Sequence, residues 1–215
     1  MFDNVFYIAG SDGSGKTTFL LDLEKELLKK SDKITKVWIR SPKILSKPLM
    51  AYCRLIGLTK YTTINGVEYC KRNLYKSKFV SYTFPMLQLI DFNIKWYLHK
   101  RKLNSDQTLL LDRFVIDTLA DLMVDTKRMD LHKTWIGKKF LELIPKNSKI
   151  VILKVDEEIV RVRKLDTLHD EHLGDKIKVF ELLSNDLNIK LIKNNTEYKL
   201  VKDKVINYLL DEKNN

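Results

Sequence analysis

The stretch NVFYIAGSDGSGKTT, residues 4–18, decides the fold of this 215-residue chain. Residues 4–9 are rich in β-branched and aromatic side chains and are followed by a glycine, which predicts a short buried strand. Residues 16–30 carry apolar side chains at helical spacing, which predicts a helix. A glycine-rich turn therefore joins a strand directly to a helix.

This turn matches G-x-x-x-x-G-K-[ST], the pattern of phosphate-binding loops. Its glycines allow consecutive backbone N–H groups to surround a phosphate, and the following helix directs its positive N-terminal end at the anion. Lys16 is expected to reach the β- and γ-phosphates of ATP, and the Thr17 hydroxyl to ligate Mg²⁺. The predicted ATP-binding residues are Gly10, Ser11, Asp12, Gly13, Ser14, Gly15, Lys16, Thr17 and Thr18.

The rest of the chain alternates further predicted strands with helices. Such alternation is typical of a parallel sheet covered by helices on both faces. We therefore predict one α/β domain over residues 1–215, a P-loop three-layer α/β/α structure with a central five-stranded parallel sheet. The later strands are expected at 34–39, 109–112, 150–153 and 189–192. Helices are expected at about 80–102, at 114–144 with a break at 125–130, from 156 onwards, and at 197–211. The whole region of about 41–104 is expected to be mostly helical.

Composition limits the classes of protein to which the chain can belong. A hydrophobic fraction of 44% is ordinary for a globular protein, and no run of about 18 apolar residues predicts a membrane span. Residues 1–4 do not resemble a signal peptide. Cys53 and Cys70 lack the spacing of a zinc site or a disulfide scaffold. We expect a reduced, cytoplasmic protein with no membrane partner.

The net charge of +11 lies mainly in the first half of the chain. Residues 29–60 carry nine Lys or Arg against one acid, and residues 71–102 carry eight against one. This excess either attracts an anionic substrate or forms an ordinary solvated surface. Because no nucleic-acid-binding module is recognisable, a nucleic-acid partner is not expected.

A second motif, Asp112-Arg113-Phe114, begins at the end of the predicted strand 109–112. In an open parallel sheet ligands bind outside the carboxyl ends of the strands, so this Asp-Arg pair is expected to face the loop. Arg40 holds the corresponding place after the second strand. The alternatives are a strand-end ion pair or helix cap for the motif, and a solvent-facing side chain for Arg40.

Asp12 is the unusual member of the loop. A carboxylate beside a polyanion site raises the cost of binding phosphate unless it points towards hydrogen-bond donors, such as a sugar hydroxyl. In this respect the loop resembles that of thymidylate kinases, which typically carry a carboxylate here that contacts the sugar of the acceptor nucleotide. Asp112-Arg113-Phe114 is similar to the Asp-Arg-Tyr signature of that family.

The resemblance implies roles for the other motif residues. In thymidylate kinases the signature Arg binds the acceptor phosphate and the Asp lies near the metal, which assigns these roles to Arg113 and Asp112. Arg40 resembles an arginine near a proline that also contacts the acceptor phosphate. Catalytic roles are thereby implied for Lys16, Asp112 and Arg113, metal binding for Thr17 and Asp112, and acceptor binding for Asp12, Arg40 and Arg113.

The resemblance also implies a lid segment at about 161–172. In the family the arginines of this lid close over the transferring phosphate, where cations stabilise the charge of a phosphoryl group in transfer. Arg161 and Arg163 are the expected catalytic lid cations. The alternative is a solvated helix of mixed charge.

The chain departs from the family on the helix before Asp112. Thymidylate kinases usually carry an aromatic residue there that holds thymine, and four residues later an Arg that reads the base edge. Here the residue four positions after Tyr82 is Met86, and the residue four positions after Phe84 is Gln88, so neither aromatic residue is followed by that Arg. Tyr82, Phe84 and Gln88 are the candidate acceptor-binding residues, since the Gln88 amide offers both a donor and an acceptor. Core packing is the alternative for the two aromatic residues.

The leading hypothesis is a nucleoside monophosphate kinase that uses ATP and Mg²⁺ to convert dTMP to dTDP. The alternatives are a P-loop kinase for another small acceptor (a deoxynucleoside, another nucleotide or a sugar) and a non-catalytic nucleotide-binding switch. An acceptor phosphate needs no general base, whereas a hydroxyl acceptor needs one, for which Asp112 is the available carboxylate. The family precedent suggests a homodimer.

Overall fold

The computed structural model describes residues 4–29, 33–64, 66–104 and 106–211. Its strands are β1 (Asn4–Gly10), β2 (Ile34–Trp38), β3 (Thr59–Ile64), β4 (Val67–Arg72), β5 (Thr108–Asp112), β6 (Ser148–Lys154) and β7 (Lys190–Lys193). Five of them form a parallel sheet in the order β2-β5-β1-β6-β7, while β3 and β4 form a separate hairpin. The predicted five-stranded parallel sheet is confirmed. Residues 1–3, which belong to the segment 1–4 that does not resemble a signal peptide, lie outside the described residues.

Helices cover both faces of the sheet. Alternate residues of a strand point to opposite faces; Phe6 and Ile8 of β1 pack against the last helix and the helix after the loop, and Val5 and Tyr7 against the others. This is the predicted three-layer arrangement. None of the helices in the described ranges is long and apolar enough to cross a membrane. The helices are α1 (Lys16–Leu28), α2 (Ser46–Leu55), α3 (Lys78–Lys100), α4 (Val115–Thr126), α5 (Trp135–Leu141), α6 (Glu157–Arg163), α7 (Leu173–Asp186) and α8 (Tyr198–Leu210).

The carboxyl ends of β1, β5 and β2 meet at one edge of the sheet. Ile8 of β1 pairs with Asp112 of β5, which in turn pairs with Trp38 of β2. The alignment continues beyond the strands, because the N–H of Ile39 donates to the carbonyl of Arg113 (3.0 Å). The glycine-rich loop and the residues that follow β2 and β5 therefore share this edge.

The region between β2 and β5 differs from the mostly helical region predicted at 41–104. Residues 59–64 and 67–72 pair as the antiparallel hairpin β3–β4. Five of the six residues of β3 are β-branched or aromatic, and β4 carries Val67 and Tyr69 in alternation. The sequence pair Asn-Gly at 65–66 is typical of hairpin turns, and Gly66 has the positive φ of such a turn (+78°). The helical prediction is wrong over this stretch because these features outweigh the helical pattern on either side.

The hairpin leaves and rejoins the domain at one point. The N–H of Asn73 donates to the carbonyl of Leu58 (2.8 Å), so the residues that flank the hairpin lie side by side. On β4, Lys71 forms an ion pair with Glu171, in the segment between α6 and α7. The hairpin therefore spans from the base of α2 to the region where the lid is expected.

A buried carboxylate on α3 fixes the start of α2. Asp91 accepts hydrogen bonds from the backbone N–H groups of Ile44 (3.0 Å), Leu45 (2.6 Å) and Ser46 (3.0 Å), and from the Ser46 hydroxyl (2.6 Å). The first N–H groups of a helix have no partner within it. Asp91 thus supplies the cap that Leu45, at the N-cap position, does not.

Replacement of Asp91 by alanine is expected to lower the free energy of unfolding by about 2–3 kcal/mol, since it leaves buried N–H groups without an acceptor. Urea unfolding followed by circular dichroism measures this loss. Asn93→Ala, at an exposed position of the same helix, is the matched control and should stay within about 0.5 kcal/mol of the wild type. Equal stability of Asp91→Ala and the wild type would show that α2 does not depend on this cap.

Candidate active site

The loop between β1 and α1 is packed against the elements that follow β5. Gly10 (φ +149°) and Gly13 (φ +75°) both have backbone conformations that side chains rarely permit. A Cβ on Gly10 would lie 2.5 Å from the carbonyl oxygen of Leu153 on β6, and a Cβ on Gly13 would lie 2.8 Å from Cγ1 of Val160 on α6. The glycines therefore allow the loop to lie directly between β6 and α6.

Asn194, which follows β7, also holds the loop. This side chain is buried, and its Nδ2 donates to the carbonyl of Ser14 (3.0 Å). Arg163 of α6 donates from Nη1 to the carbonyl of Asn194 (2.9 Å). Asn194 could not be recognised from the sequence because its partner lies 180 positions away. A polar residue directly after the fifth strand was the only local signal.

Lys16 is buried at the start of α1, with its ammonium inside the loop. Nζ donates to the carbonyls of Gly10 (2.6 Å) and Ser11 (2.5 Å) and lies 3.4 Å from Oγ of Ser14. Burial, with a smaller contribution from the charge of Arg113, lowers the pKa of Lys16 to about 8. An anion in the loop would stabilise the protonated form.

Asp12 connects the loop to two arginines from neighbouring strands. Its Oδ1 accepts a hydrogen bond from Nη2 of Arg113, and its Oδ2 lies 3.4 Å from Nη2 of Arg40. Burial alone would raise the pKa of Asp12, but Arg113, Arg40 and Lys16 outweigh it and hold the pKa well below its usual range. The hydrogen-bond donors that the Asp12 carboxylate was expected to need are therefore the guanidinium groups of Arg113 and Arg40.

Arg113 reaches Asp12 from a constrained backbone. Its φ of +58° lies in the left-handed region, which costs a residue other than glycine about 1–3 kcal/mol. The residue stands between β5 and α4, where the chain leaves the sheet. Such conformations concentrate at functional sites. The structure thus places both strand-end arginines at the loop, on opposite sides of one carboxylate.

Three carboxylates on one face of α4 pair with arginines from three elements. Residues 117, 121 and 125 are four positions apart and so lie above one another. At a rise of about 1.5 Å per residue, the row is about 12 Å long. The spacing of these three residues is visible in the sequence, but none of them was among the predicted site residues. The pairs are Asp117–Arg113 (3.8 Å), Asp121–Arg40 (3.1 Å) and Asp125–Arg72 (3.1 Å).

Asp117 serves the fold at the start of this row. Its Oδ2 accepts hydrogen bonds from the hydroxyl of Tyr7 (2.7 Å) and from the N–H of Phe114 (3.3 Å). Burial raises its pKa, and the charges of Lys16 and Arg113 oppose this rise. Asp117 therefore attaches the first turn of α4 to β1.

The residues at the loop fit a magnesium ion in their chemistry. Mg²⁺ is usually held by one or two protein oxygen ligands together with substrate phosphates. Thr17 is exposed on the first turn of α1, and the half-buried Asp112 ends β5 beside β1. In the described ranges no group of three or more His, Cys, Asp or Glu side chains could form a closed metal site. Thr17 and Asp112 would be the oxygen donors that hold it, as the sequence predicts.

Arg161 contacts the lid region itself rather than the loop. From α6 its Nη1 donates to the carbonyl of Thr167 (2.8 Å), and its Nη2 donates to the Glu157 carboxylate (2.6 Å) and to the carbonyl of Asp170 (3.2 Å). These bonds join the beginning and the end of the expected lid. Arg161 therefore shapes this segment.

The lid cation nearest the loop is Lys164. Its Nζ lies 4.0 Å from Oδ1 of Asp12 and 3.1 Å from Oδ2 of Asp166. Of the two arginines expected to be catalytic here, Arg161 is engaged within the lid and Arg163 contacts Asn194. Lys164, which directly follows Arg163 at the end of α6, is the lid cation that pairs with a residue of the loop.

A cavity of about 310 Å³ opens beside the loop, bounded by α4, α7 and the hairpin. Arg40 connects the two, since it lines the cavity and also contacts Asp12. Part of the basic excess of the first half of the chain is therefore directed into this cavity. Its charged lining residues are Arg40, Lys43, Arg72, Lys176, Asp121 and Asp125.

The residues expected to bind an acceptor base lie elsewhere. Phe84 is buried in the core. Gln88 is buried one turn further along α3, where it donates to the carbonyl of Pro42 (2.9 Å). Tyr82, on the opposite face of α3, is 62% exposed, with Arg128 4.2 Å from its ring centroid. The two faces of α3 thus separate these side chains, and none of the three lines the cavity.

A phosphate-binding loop at the edge of a parallel five-stranded sheet defines a P-loop α/β fold. More particularly, the fold is that of thymidylate kinases, as the resemblance predicted. Thymidylate kinase from Ehrlichia chaffeensis is similar at a TM-score of 0.56 and 16% identity, over 96% of this chain and 98% of that chain. Thymidylate kinase from Candida albicans is similar at a TM-score of 0.55 and 16% identity, over 96% and 88%. No protein-family model and no curated protein matches the sequence.

The pKa of Lys16, about 8 in the free chain, predicts how nucleotide binding depends on pH. A polyphosphate in the loop raises this pKa, so that binding above pH 8 requires uptake of a proton. The affinity for a non-hydrolysable Mg²⁺-ATP analogue should be level up to about pH 8 and then fall by up to about tenfold per pH unit. Titration calorimetry in two buffers of different ionisation enthalpy measures both the affinity and the proton uptake.

Lys16→Met is the control for this prediction. It should bind more weakly at every pH and lack the inflection, since the titrating group is gone. An inflection that persists in Lys16→Met, or a wild-type affinity that stays level to about pH 9.5, would contradict the assignment.

Proposed function

We propose that the chain is a nucleoside monophosphate kinase, with dTMP as the first candidate acceptor. The observation that carries the proposal is the convergence of Arg40 and Arg113 on Asp12, in the same loop as Lys16. Guanidinium groups bind phosphate oxygens with two parallel N–H groups. An acceptor phosphate that takes the place of the Asp12 carboxylate between them would lie next to the γ-phosphate of ATP in the loop.

Catalysis in this proposal consists of positioning and charge neutralisation. An oxygen of the acceptor phosphate, already anionic at neutral pH, attacks the γ-phosphorus, and the bond to the β-phosphate oxygen breaks to release ADP. Lys16 and the loop N–H groups hold the donor, Arg40 and Arg113 hold the acceptor, and Lys164 approaches from the lid. Mg²⁺, when bound by Thr17 and Asp112, supplies charge neutralisation at the β- and γ-phosphates.

A kinase for another small acceptor is the second candidate. It is favoured by the lining of the cavity, which contains no Phe, Tyr or Trp among the described residues. A hydroxyl acceptor requires a group that takes its proton. Asp112 has the better position for this role, because Asp117 is engaged with Tyr7 and Phe114.

An ADP-release assay over nucleoside monophosphates, nucleosides and phosphosugars tests these two candidates. The proposal predicts release that depends on a nucleoside monophosphate, with dTMP among the best, and a loss of about 10²–10³-fold in kcat for Lys16→Ala. Release with a free hydroxyl acceptor and none with any monophosphate would establish the second candidate. If no acceptor stimulates release, the non-catalytic nucleotide-binding switch becomes the favoured alternative.

We also propose that the protein forms a homodimer through α3. Exposed apolar side chains recur every three or four residues along this helix and form a stripe about 27 Å long. In a two-fold symmetric dimer such a stripe packs against its own copy, so each chain covers the apolar surface of the other. The family precedent points to the same assembly. The residues of the stripe are Phe79, Tyr82, Met86, Ile90, Ile94 and Tyr97.

Ile90→Glu, at the middle of the stripe, is expected to convert the dimer to a monomer because it buries an unpaired charge against an apolar partner. Sedimentation equilibrium measures the mass of the species in solution. Leu200→Glu, at an exposed apolar position of α8, is the matched control and should remain dimeric. A wild-type chain that is monomeric at all concentrations would contradict the proposal.

The proposed compartment is the cytoplasm. Both cysteines are free thiols, Cys53 buried and Cys70 exposed. Free exposed thiols persist where the environment is reducing. ATP and the acceptor nucleotide are the proposed small-molecule partners, and nucleic acid is not among them.

A further inference from the structure

The end of the cavity away from the phosphate-binding loop is formed by Arg72 and Asp125. Arg72 is the last residue of β4, and its Nη1 lies 3.1 Å from Oδ2 of Asp125. Along α4 this pair is one turn, about 6 Å, beyond the Asp121–Arg40 pair. A molecule whose phosphate is held by Arg40 and Arg113 therefore extends along α4 towards Arg72.

The fold leaves part of the hydrogen-bonding capacity of this pair unused. A guanidinium group carries five N–H donors. Within the part of the chain that the structure describes, Arg72 donates only from Nη1, to Asp125; Nε is buried without a partner, and the side chain as a whole is 22% exposed. An arginine beside a carboxylate presents donors and an acceptor together. This combination matches a molecular edge on which a carbonyl or ring nitrogen stands next to an N–H group, as on the nucleobases.

The chemistry of the remaining lining agrees with recognition of an edge rather than a ring face. Cys70 and His172 flank this end of the cavity, and no Phe, Tyr or Trp lines it among the described residues. The described lining residues therefore offer an acceptor base hydrogen bonds from charged side chains and no large aromatic ring on which to stack.

The position of Arg72 is fixed by contacts on both sides of the hairpin. The backbone bond between Asn73 and Leu58 holds its end of β4 at the domain, and the neighbouring Lys71 pairs with Glu171 beyond α6. Arg72 therefore reaches α4 from the hairpin β3–β4, which is separate from both the five-stranded sheet and α3.

We propose that Arg72 and Asp125 determine acceptor specificity by binding the hydrogen-bonding edge of the acceptor base, so that the hairpin β3–β4 selects the nucleotide. The proposal rests on the function proposed above. Arg40 and Arg113 bind the phosphate, and Arg72 with Asp125 binds the base at the other end. Because the phosphate and the base are bound at different ends of the cavity, the contribution of each pair of residues to the affinity for the acceptor can be measured separately.

The test compares 2′-deoxynucleoside monophosphates with 2-deoxyribose 5-phosphate, which carries the same phosphate and sugar but no base. Dissociation constants are measured by calorimetry or by NMR titration. Arg72→Met should weaken the nucleotide that the wild type binds best by about 10- to 100-fold, and leave 2-deoxyribose 5-phosphate within about twofold. A merely structural role for Arg72 would weaken both ligands equally.

Two further variants keep the test decisive. Because Arg72→Met leaves Asp125 buried without its partner, the double variant Arg72→Met/Asp125→Leu removes both charges and preserves the fold, which thermal unfolding checks. Lys60→Met, at an exposed position of β3, is the matched control and should bind every ligand as the wild type does.

The outcomes separate this proposal from the proposed function. If the wild type transfers phosphate to a nucleotide and folded Arg72 variants keep its affinity, or lose both ligands equally, the assignment of Arg72 and Asp125 is overturned and the kinase stands. If the wild type binds and phosphorylates none of the monophosphates, both are overturned. Selective loss of the nucleotide supports both.

Discussion

The attraction between Asp12 and the guanidinium groups of Arg40 and Arg113 organises the site. Two guanidinium groups and the ammonium of Lys16 repel one another when they are partly buried, and the carboxylate between the arginines offsets this repulsion. The loop thus carries its own anion between the cations that surround it. Under the proposed function, an acceptor phosphate that displaced Asp12 would find its two guanidinium groups already in place, so little of their conformational entropy would be lost on binding. The same pairing ties the loop after β1 to the ends of β2 and β5.

Helix α4 extends this arrangement away from the sheet. Its first turn is attached to β1 through Tyr7 and Asp117, so the carboxylates further along the helix have a defined distance from the loop. Asp121 then orients Arg40 through Nε (3.1 Å). Burial would raise the pKa of Asp121, but Arg40 and Lys176 hold it below its usual range, so the pair stays ionised. The attachment of α4 to β1 therefore fixes where Asp121, Asp125 and the Arg40 paired with Asp121 stand relative to the loop.

The parts of this structure that follow from local pattern could be predicted from the sequence. The loop, the five strands and the edge at which Arg40 and Arg113 meet all derive from short-range periodicity and from the geometry of parallel sheets. The contacts that complete the site could not, because Asn194 and Arg72 meet their partners only through the tertiary fold. The sequence also did not show which face of α3 each side chain occupies. Phe84 was a candidate for binding the acceptor base, but it is a core residue because its face of α3 packs against the sheet.

The hairpin β3–β4 has its two ends joined by one backbone hydrogen bond, between Asn73 and Leu58. A segment that starts and finishes at the same point places no requirement of length on the elements around it, and the entropy of closing such a loop grows only slowly with its length. Residues 59–72 form a sheet of their own, which Lys71 and Arg72 attach to Glu171 and Asp125. If the proposed function and the proposed role of Arg72 hold, phosphate transfer and the choice of acceptor are carried by separate parts of the chain, so that substitutions in the hairpin would change the acceptor while the sheet and its loop keep their geometry.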